Sequence, residues 1–261
     1  YGWVIIPQVN ASWVKGSRTT RASIGKGVRD ADFTERYNNY NKTLVTGGSI
    51  GNPYLQTEKS WSYELGADYR MGSNFKWGAT AFLRDQNNLI DWTPTPYPMM
   101  PRQSNLIITG NYTLASNISS VQTKGIETDL TYNKKWGDDI ELNISTGLVW
   151  LASTSPDKTP SFYISSHARF LWNEQIVCRA RQLQLSINSV YKIRNTQTAS
   201  AINAAISNNY FLVNTKCAYL LKKRSSNVFV EITNVTNTTY SDLLGAIMPS
   251  RWIAAGFQLH L

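Results

Sequence analysis

Few residues in this chain could do covalent chemistry. Two histidines, His167 and His260, and two cysteines, Cys178 and Cys217, are the whole stock of the side chains that most often act as proton shuttle, nucleophile or soft-metal ligand. Two cysteines can make neither a disulfide framework nor a four-ligand zinc site. Each histidine falls on the polar face of an alternating segment, His167 with Ser165 and Arg169, His260 with Gln258, and reads as a surface-lining residue. Asp138 and Asp139 share a short turn, a poor place for a catalytic pair. Asp30, Asp32 and Glu35 cluster beside a long loop, and hard cations such as calcium take several oxygen ligands. Arg29 and Arg36 flank the same acids, and a charge-balanced, solvated loop is the simpler reading. The inventory disfavours an enzyme and calls for no cofactor. Binding is better served. The loop Trp92 to Arg102 carries four prolines with Trp92, Tyr97, Met99, Met100 and Arg102, a stiff surface of the kind that contacts a ligand, or else simply packs. Arg29, Arg36, Tyr37, Tyr40, Tyr54 and Arg84 add cations and aromatics near the same loops or on a polar face.

The elements that hold these residues show a period of two. In Phe75–Leu83 the odd positions are Phe75, Trp77, Ala79, Ala81 and Leu83, against Lys76, Gly78, Thr80 and Phe82. Ile140, Leu142, Ile144, Thr146, Leu148 and Trp150 oppose Glu141, Asn143, Ser145 and Gly147. Leu183, Leu185, Ile187, Tyr191 and Ile193 oppose Gln184, Ser186, Asn188, Lys192 and Arg194. Successive strand side chains point to opposite faces, so each segment has one oily and one polar face. Eleven strands are predicted, at about 2–15, 18–29, 59–71, 75–92, 105–133, 139–152, 161–172, 182–194, 210–222, 227–237 and 250–261. No amphipathic helix competes. The longest apolar runs, such as Trp3-Val4-Ile5-Ile6, fall far short of the ~20 residues that a spanning helix needs.

Connections alternate in length. Short turns at 15–18, 71–74, 134–138 and 223–226 alternate with long Asn/Pro/Thr-rich loops near 30–58, 93–104, 153–160, 195–209 and 238–249; the turn after Trp172 is the least distinct. Trp13, Tyr69, Trp77, Tyr132, Trp136, Trp172 and Tyr219 gather near the short turns. Trp61, Trp92, Trp150, Tyr191, Tyr210 and Trp252 gather near the long loops. Two aromatic belts, with turns on one side and loops on the other, are the pattern of a transmembrane β-barrel. The net charge of +9 is scattered over turns and polar faces. A nucleic-acid binder would concentrate it, whereas lipopolysaccharide phosphates or an anionic ligand suit basic residues near the loops. The first residues, Tyr1-Gly2-Trp3-Val4, lack a basic leader and a cleavage site and read as the inside of a strand, which predicts a chain that begins within a larger protein.

Several segments resemble the C-terminal half of TonB-dependent outer-membrane receptors. Gly51-Asn52-Pro53-Tyr54-Leu55-Gln56-Thr57-Glu58-Lys59-Ser60 resembles a segment leading from an external loop into a strand. Leu89-Ile90-Asp91-Trp92 resembles a strand end, Lys124-Gly125-Ile126-Glu127 a strand, and Phe229 to Tyr240 the penultimate strand. Arg29 to Tyr37 resembles a strand end that opens a large loop, and Gly256-Phe257-Gln258-Leu259-His260-Leu261 the terminal assembly signal, with Leu261 where an aromatic residue usually stands. The ordered set covers nearly the whole chain.

The resemblance implies an all-β, antiparallel up-and-down transmembrane barrel, with about eleven strands here forming the C-terminal half of a 22-strand barrel. It places residues 1–261 in one barrel domain, with a plug domain and the N-terminal barrel half lying outside it. It also implies residence in the bacterial outer membrane, partnership with TonB through the plug, and energy-coupled uptake of a small nutrient such as an iron–siderophore complex or cobalamin. A self-contained passive channel or autotransporter barrel and a soluble β-rich binding protein are the rival readings. The barrel reading predicts Trp77, Leu83, Leu142, Ile144, Leu185 and Ile187 facing lipid, with Arg84, Glu141, Asn143, Gln184 and Asn188 facing a wet lumen. It also predicts unpaired cysteines, Cys217 on the oily face and Cys178 in or near a turn.

Overall fold

In a computed structural model of the chain, described over residues 3–156, 168–194, 197–199, 204–221, 226–242 and 246–259, the alternation resolves into long strands. They are β1 (Gln8–Lys15), β2 (Arg18–Arg29), β3 (Gly48–Ile50), β4 (Glu58–Met71), β5 (Phe75–Thr95), β6 (Tyr112–Trp136), β7 (Ile140–Thr154), β8 (Ala168–Ala180), β9 (Leu183–Arg194), β10 (Gln197–Ala199), β11 (Ala204–Ile206), β12 (Asn209–Leu220), β13 (Asn227–Thr233) and β14 (Trp252–Gln258), with one short helix, α1 (Phe33–Tyr37). Eleven of them form one sheet in the order β1-β2-β4-β5-β6-β7-β8-β9-β12-β13-β14, a nearest-neighbour antiparallel meander whose edges are β1 and β14. The strand β3 attaches by a three-residue parallel pairing to the start of β6, and β10 and β11 make a separate hairpin.

Register decides the faces, because directly paired residues of an antiparallel ladder lie on the same side. One row runs Ile144, Ile176, Ile187, Thr215, Ile232, Ile253 across six strands. The next row runs Leu142, Cys178, Leu185, Cys217, Val230, Ala255. The opposite face carries Gln175, Asn188 and Asn214 in one row and Asp68, Gly78, Asp129, Gly147 and Asn173 in another. All six residues expected on the oily face share one side of the sheet, and all five expected on the polar face share the other. On the oily side, Tyr69 pairs Trp77 near the β4–β5 turn. At the far end Trp172, Tyr191 and Phe211 form a row in which the Trp172 and Phe211 rings stack at 6.1 Å.

The faces are not pure. Glu174 lies on the oily side between Thr146 and Ser189. Phe82, Val149, Leu151, Leu171, Val190 and Leu212 lie on the polar side, in a band seven to eleven residues above the short turns. Gly125 makes room for this band, since a Cβ there would stand 2.6 Å from the Phe82 ring and 2.5 Å from the Trp150 carbonyl oxygen.

Several boundaries differ from expectation. The first strand begins at Gln8 because Pro7 has no N–H for the ladder, although its carbonyl still accepts from Lys26 N. The sixth strand starts at Tyr112, and residues 105–111 belong to a folded loop. The largest shift is at the far end of the strand expected at 161–172, which is described from Ala168 and continues to Ala180. Its turn is made by Arg181 at φ 54°, the left-handed role that Gly16, Gly72 and Gly137 play in three other short turns, so no glycine marked it. Trp172 consequently belongs to the loop-side belt, and Cys178 lies inside a strand. Asn234 and Asn237, both at positive φ, end the penultimate strand early. His260 and the stretch 157–167, with His167, fall outside the described residues.

Both cysteines are unpaired. Cys178 and Cys217 each pair with Leu185 from opposite sides, so two strand spacings separate their Cα atoms, about 10 Å. A disulfide needs about 7 Å or less. In peptides from the unreduced protein treated with a membrane-permeant maleimide, Cys178 and Cys217 should therefore each carry one label; a Cys178–Cys217 peptide pair lighter by two hydrogens would refute this placement.

Candidate functional site

Two loops fold together at one end of the strands. The segment from Asp30 to Thr57 and the segment from Pro96 to Asn111 share a core of Val45, Ile50, Met100, Leu106, Tyr112 and Leu114, with Tyr97 packed against it. Tyr112 ties them, donating its hydroxyl to Val45 O at 2.9 Å and accepting from Ile107 N at 2.9 Å. Asn105 donates to the Lys42 carbonyl at 2.9 Å, and Arg102 donates to the Tyr40 carbonyl at 2.6 Å with its guanidinium 4.8 Å from the Tyr40 ring. A second cluster, Leu55, Ile90 and Ala115 with Trp92, seats the unit on β5 and β6.

Ion pairs fasten the other side. Arg29, at the end of β2, grips Glu58 through Nε and Nη2, each at 2.7 Å, and reaches Glu35 at 2.9 Å. Glu58 also accepts from Ile90 N at 2.6 Å. Asp32 caps α1, accepting from Glu35 N at 2.7 Å while the Glu35 carboxylate accepts from Asp32 N at 2.9 Å, the reciprocal capping box. Arg36 donates to Asp30 at 2.6 Å and to the Pro53 carbonyl at 2.9 Å. The carboxylates of Asp30, Asp32 and Glu35 are thus each engaged by a cation or a backbone N–H. Among the described residues no group of three His, Cys, Asp or Glu is arranged to hold a metal ion.

The residues singled out for ligand contact therefore divide. Met100 is only 5% exposed and belongs to the loop core, with Tyr97 half-buried against that core and Trp92 half-buried on the second cluster. Arg29, Arg36, Tyr40 and Arg102 hold the loops together. Four remain presented to solvent: Tyr54 at 79%, Met99 at 73%, Tyr37, whose ring lies 5.2 Å from the exposed Phe33, and Arg84 on the polar face, donating to Ser62 at 3.2 Å.

A second constellation lay beyond sequence reasoning. Lys192 on β9 and Tyr210 on β12 are direct cross-strand partners on the polar face, and Arg194 follows two residues on. The loop after β13 brings Asp242 down to them. Its Oδ1 accepts from Arg194 Nη2, from Tyr210 OH at 3.1 Å and from Lys192 Nζ at 3.2 Å. Tyr240 of the same loop packs on Tyr210 with ring centroids 4.6 Å apart. Burial pushes the Asp242 carboxyl up, but the hydrogen bonds from Arg194 and Lys192 outweigh it and hold the group below the ordinary carboxylate value. Burial, and then the Asp242 charge, raise the Tyr240 phenol. Arg194 and Asp242 are 48 residues apart, and no spacing rule links them.

The polar face between these ends is a lattice of charge. Arg21 pairs with Asp68 and donates to Thr80 at 2.8 Å, Ser23 donates to Glu64 at 3.3 Å, and Glu127 and Asp129 project from β6 beside them. A surface of this kind suits a wet interior.

Comparison with known proteins agrees with this architecture. The family model described as TonB dependent receptor-like, beta-barrel, matches residues 1–235. No curated protein sequence matches. Among solved structures, the siderophore receptor PirA from Pseudomonas aeruginosa is 18% identical with a TM-score of 0.63, over 97% of this chain and 39% of that one. The FrpB iron transporter from Neisseria meningitidis is 16% identical with a TM-score of 0.67, over 97% and 38%. The ferripyoverdine receptor of the outer membrane of Pseudomonas aeruginosa is 14% identical with a TM-score of 0.68, over 97% and 32%. The chain thus spans well under half the length of each.

Proposed function

The chain belongs to the TonB-dependent receptor β-barrel family, and from that premise we propose that it supplies the C-terminal barrel wall of an energy-coupled transporter for an iron–siderophore complex or a similar scarce nutrient. Its fold is that of an outer-membrane barrel, and the bacterial outer membrane is its place. The observation that carries the transport reading is the charged inner face beneath a folded, aromatic-edged loop unit. An exposed set of Tyr37, Tyr54, Met99 and Arg84 offers ligand contacts above and within a polar lumen. The siderophore and iron names of the compared proteins support iron over cobalamin. The plug, the N-terminal barrel half and TonB are the partners this reading requires, with lipopolysaccharide around the oily face.

The test is uptake of radioactive iron, delivered as a panel of ferric siderophores, by cells carrying the full-length receptor, with labelled cyanocobalamin as a parallel arm. Saturable uptake that falls to background when TonB is deleted or the proton gradient is collapsed is the expected result. Non-saturable uptake that persists without TonB would establish a passive channel instead.

A further inference from the structure

At the lumen mouth, three donors from rigid strands converge on a single oxygen supplied by a loop. Lys192 and Tyr210 are locked side by side by the β9–β12 ladder. Arg194, whose side chain is 4% exposed, is held independently of Asp242 by the Ser207 carbonyl at 3.0 Å, and by the Ser241 carbonyl at 3.2 Å on the same connection as Asp242. All three donate to Oδ1 of Asp242, and no described bond reaches Oδ2. Two cations face one anion, so the nest keeps one unit of positive charge. Only one of the three N–H groups of Lys192 is used in the described bonds. The Asp242 side chain is itself about one-third exposed, at 35%, and borders the lumen that a ligand must enter. The cationic half is thus built into the wall, and the anionic half sits on a connection between strands.

We propose that the Lys192–Arg194–Tyr210 nest binds an oxyanion of the incoming ligand, a carboxylate or a phosphate, and that Asp242 is a tethered stand-in which the ligand displaces. The inference rests on the transporter reading for its biological meaning, but its chemistry does not. Charge-assisted hydrogen bonds from a guanidinium and an ammonium are the strong ones, and the Tyr210–Tyr240 ring pair offers an aromatic wall beside them. A tethered carboxylate lowers apparent affinity by the fraction of time it occupies the site, so removing its charge should tighten anion binding.

The experiment is calorimetric titration of the purified full-length receptor in detergent with inorganic phosphate and, separately, with benzoate. Asp242→Asn should bind the preferred probe at least tenfold more tightly than the native protein. Lys192→Gln should weaken binding at least tenfold in either background. Preference for phosphate assigns a phosphoryl group, and preference for benzoate a carboxylate flanked by the rings. Absence of saturable binding to an Asp242→Asn protein of native melting temperature would overturn the proposal. If that variant does not fold, the comparison of native protein with Lys192→Gln decides: equal binding, or none in the native protein, overturns it. Loss of this anion site with TonB-dependent uptake intact refutes the site alone, whereas TonB-independent uptake refutes the transporter reading and leaves the anion binding standing.

Discussion

Ile187→Arg should abolish assembly of the full-length receptor, while Asn188→Arg one residue away should leave it nearly untouched. Ile187 sits in the oily row between Ile176 and Thr215, and Asn188 sits in the polar row between Gln175 and Asn214. Both have neutral neighbours, so neither substitution meets a charge of its own sign across the ladder. An arginine on the lipid face costs about 2–4 kcal/mol near the midplane, and Ile187 lies four residues above the turn-side end of β9, well inside the oily band. On the wet face the same side chain stays hydrated, and the change should fall within about 0.5 kcal/mol. The measurement is the heat-modifiable, folded receptor recovered from outer membranes, together with the urea midpoint of whatever folds. Equal yields for the two variants would end the assignment of the oily row to lipid, and a lower yield for Asn188→Arg than for Ile187→Arg would mean that the faces are exchanged, because a slip of one residue reverses every side chain on a strand.

How far the sequence could be read follows from what each feature depends on. Period two is local, so the long strands and the division into two faces were legible, down to the placement of Leu185 and Gln184 on opposite faces. Turns were legible where glycine marks a left-handed residue, as at Gly16, Gly72 and Gly137. The β8–β9 turn uses Arg181 in that role and was missed, which displaced the strand before it and with it Trp172 and Cys178. The loop residues were legible as a group but not individually. Met99 and Met100 are neighbours with the same side chain, yet one is exposed and the other is core, because the parallel contact of Val45 with Leu106 decides which is covered. Such contacts join segments 61 residues apart and leave no local signal. The Asp242 nest is invisible for the same reason. Glu174 and the apolar band from Phe82 to Leu212 depart from strict alternation, and these departures mark where the two faces have requirements beyond oil and water.

Gly51→Val should release the loop unit while leaving the barrel folded. Gly51 lies in the Gly51-Asn52-Pro53-Tyr54-Leu55 segment, whose backbone lies against the end of α1. Its N–H donates to the Asn38 carbonyl at 2.8 Å, and Asn52 N donates to the Glu35 carbonyl at 2.8 Å. A Cβ at Gly51 would stand 2.5 Å from Tyr37 N, 2.6 Å from the Arg36 carbonyl carbon and 2.6 Å from Asn38 N. All three are backbone atoms, so no flexible side chain can give way, and the helix must move off the segment. That movement breaks the Arg36 bonds to Pro53 and Leu55 and strains the Arg29 bridge from Glu58 to Glu35. Overpacking of this kind costs about 1–3 kcal/mol. Local opening exposes the Arg36–Tyr37 bond, and cleavage that tracks the open population should speed up by roughly 5- to 150-fold. Trypsin applied to intact cells measures it, with Leu44→Ala, at an exposed position of the same loop, as the control that should cleave at the native rate. The folded barrel should persist on gels, since the unit's ties reach only the loop-side ends of β4, β5 and β6, and the ladders continue well below them. A native cleavage rate at Arg36 in Gly51→Val would show that α1 does not pack on this segment, and loss of the folded barrel would show that the loop unit is part of the wall rather than a cap upon it.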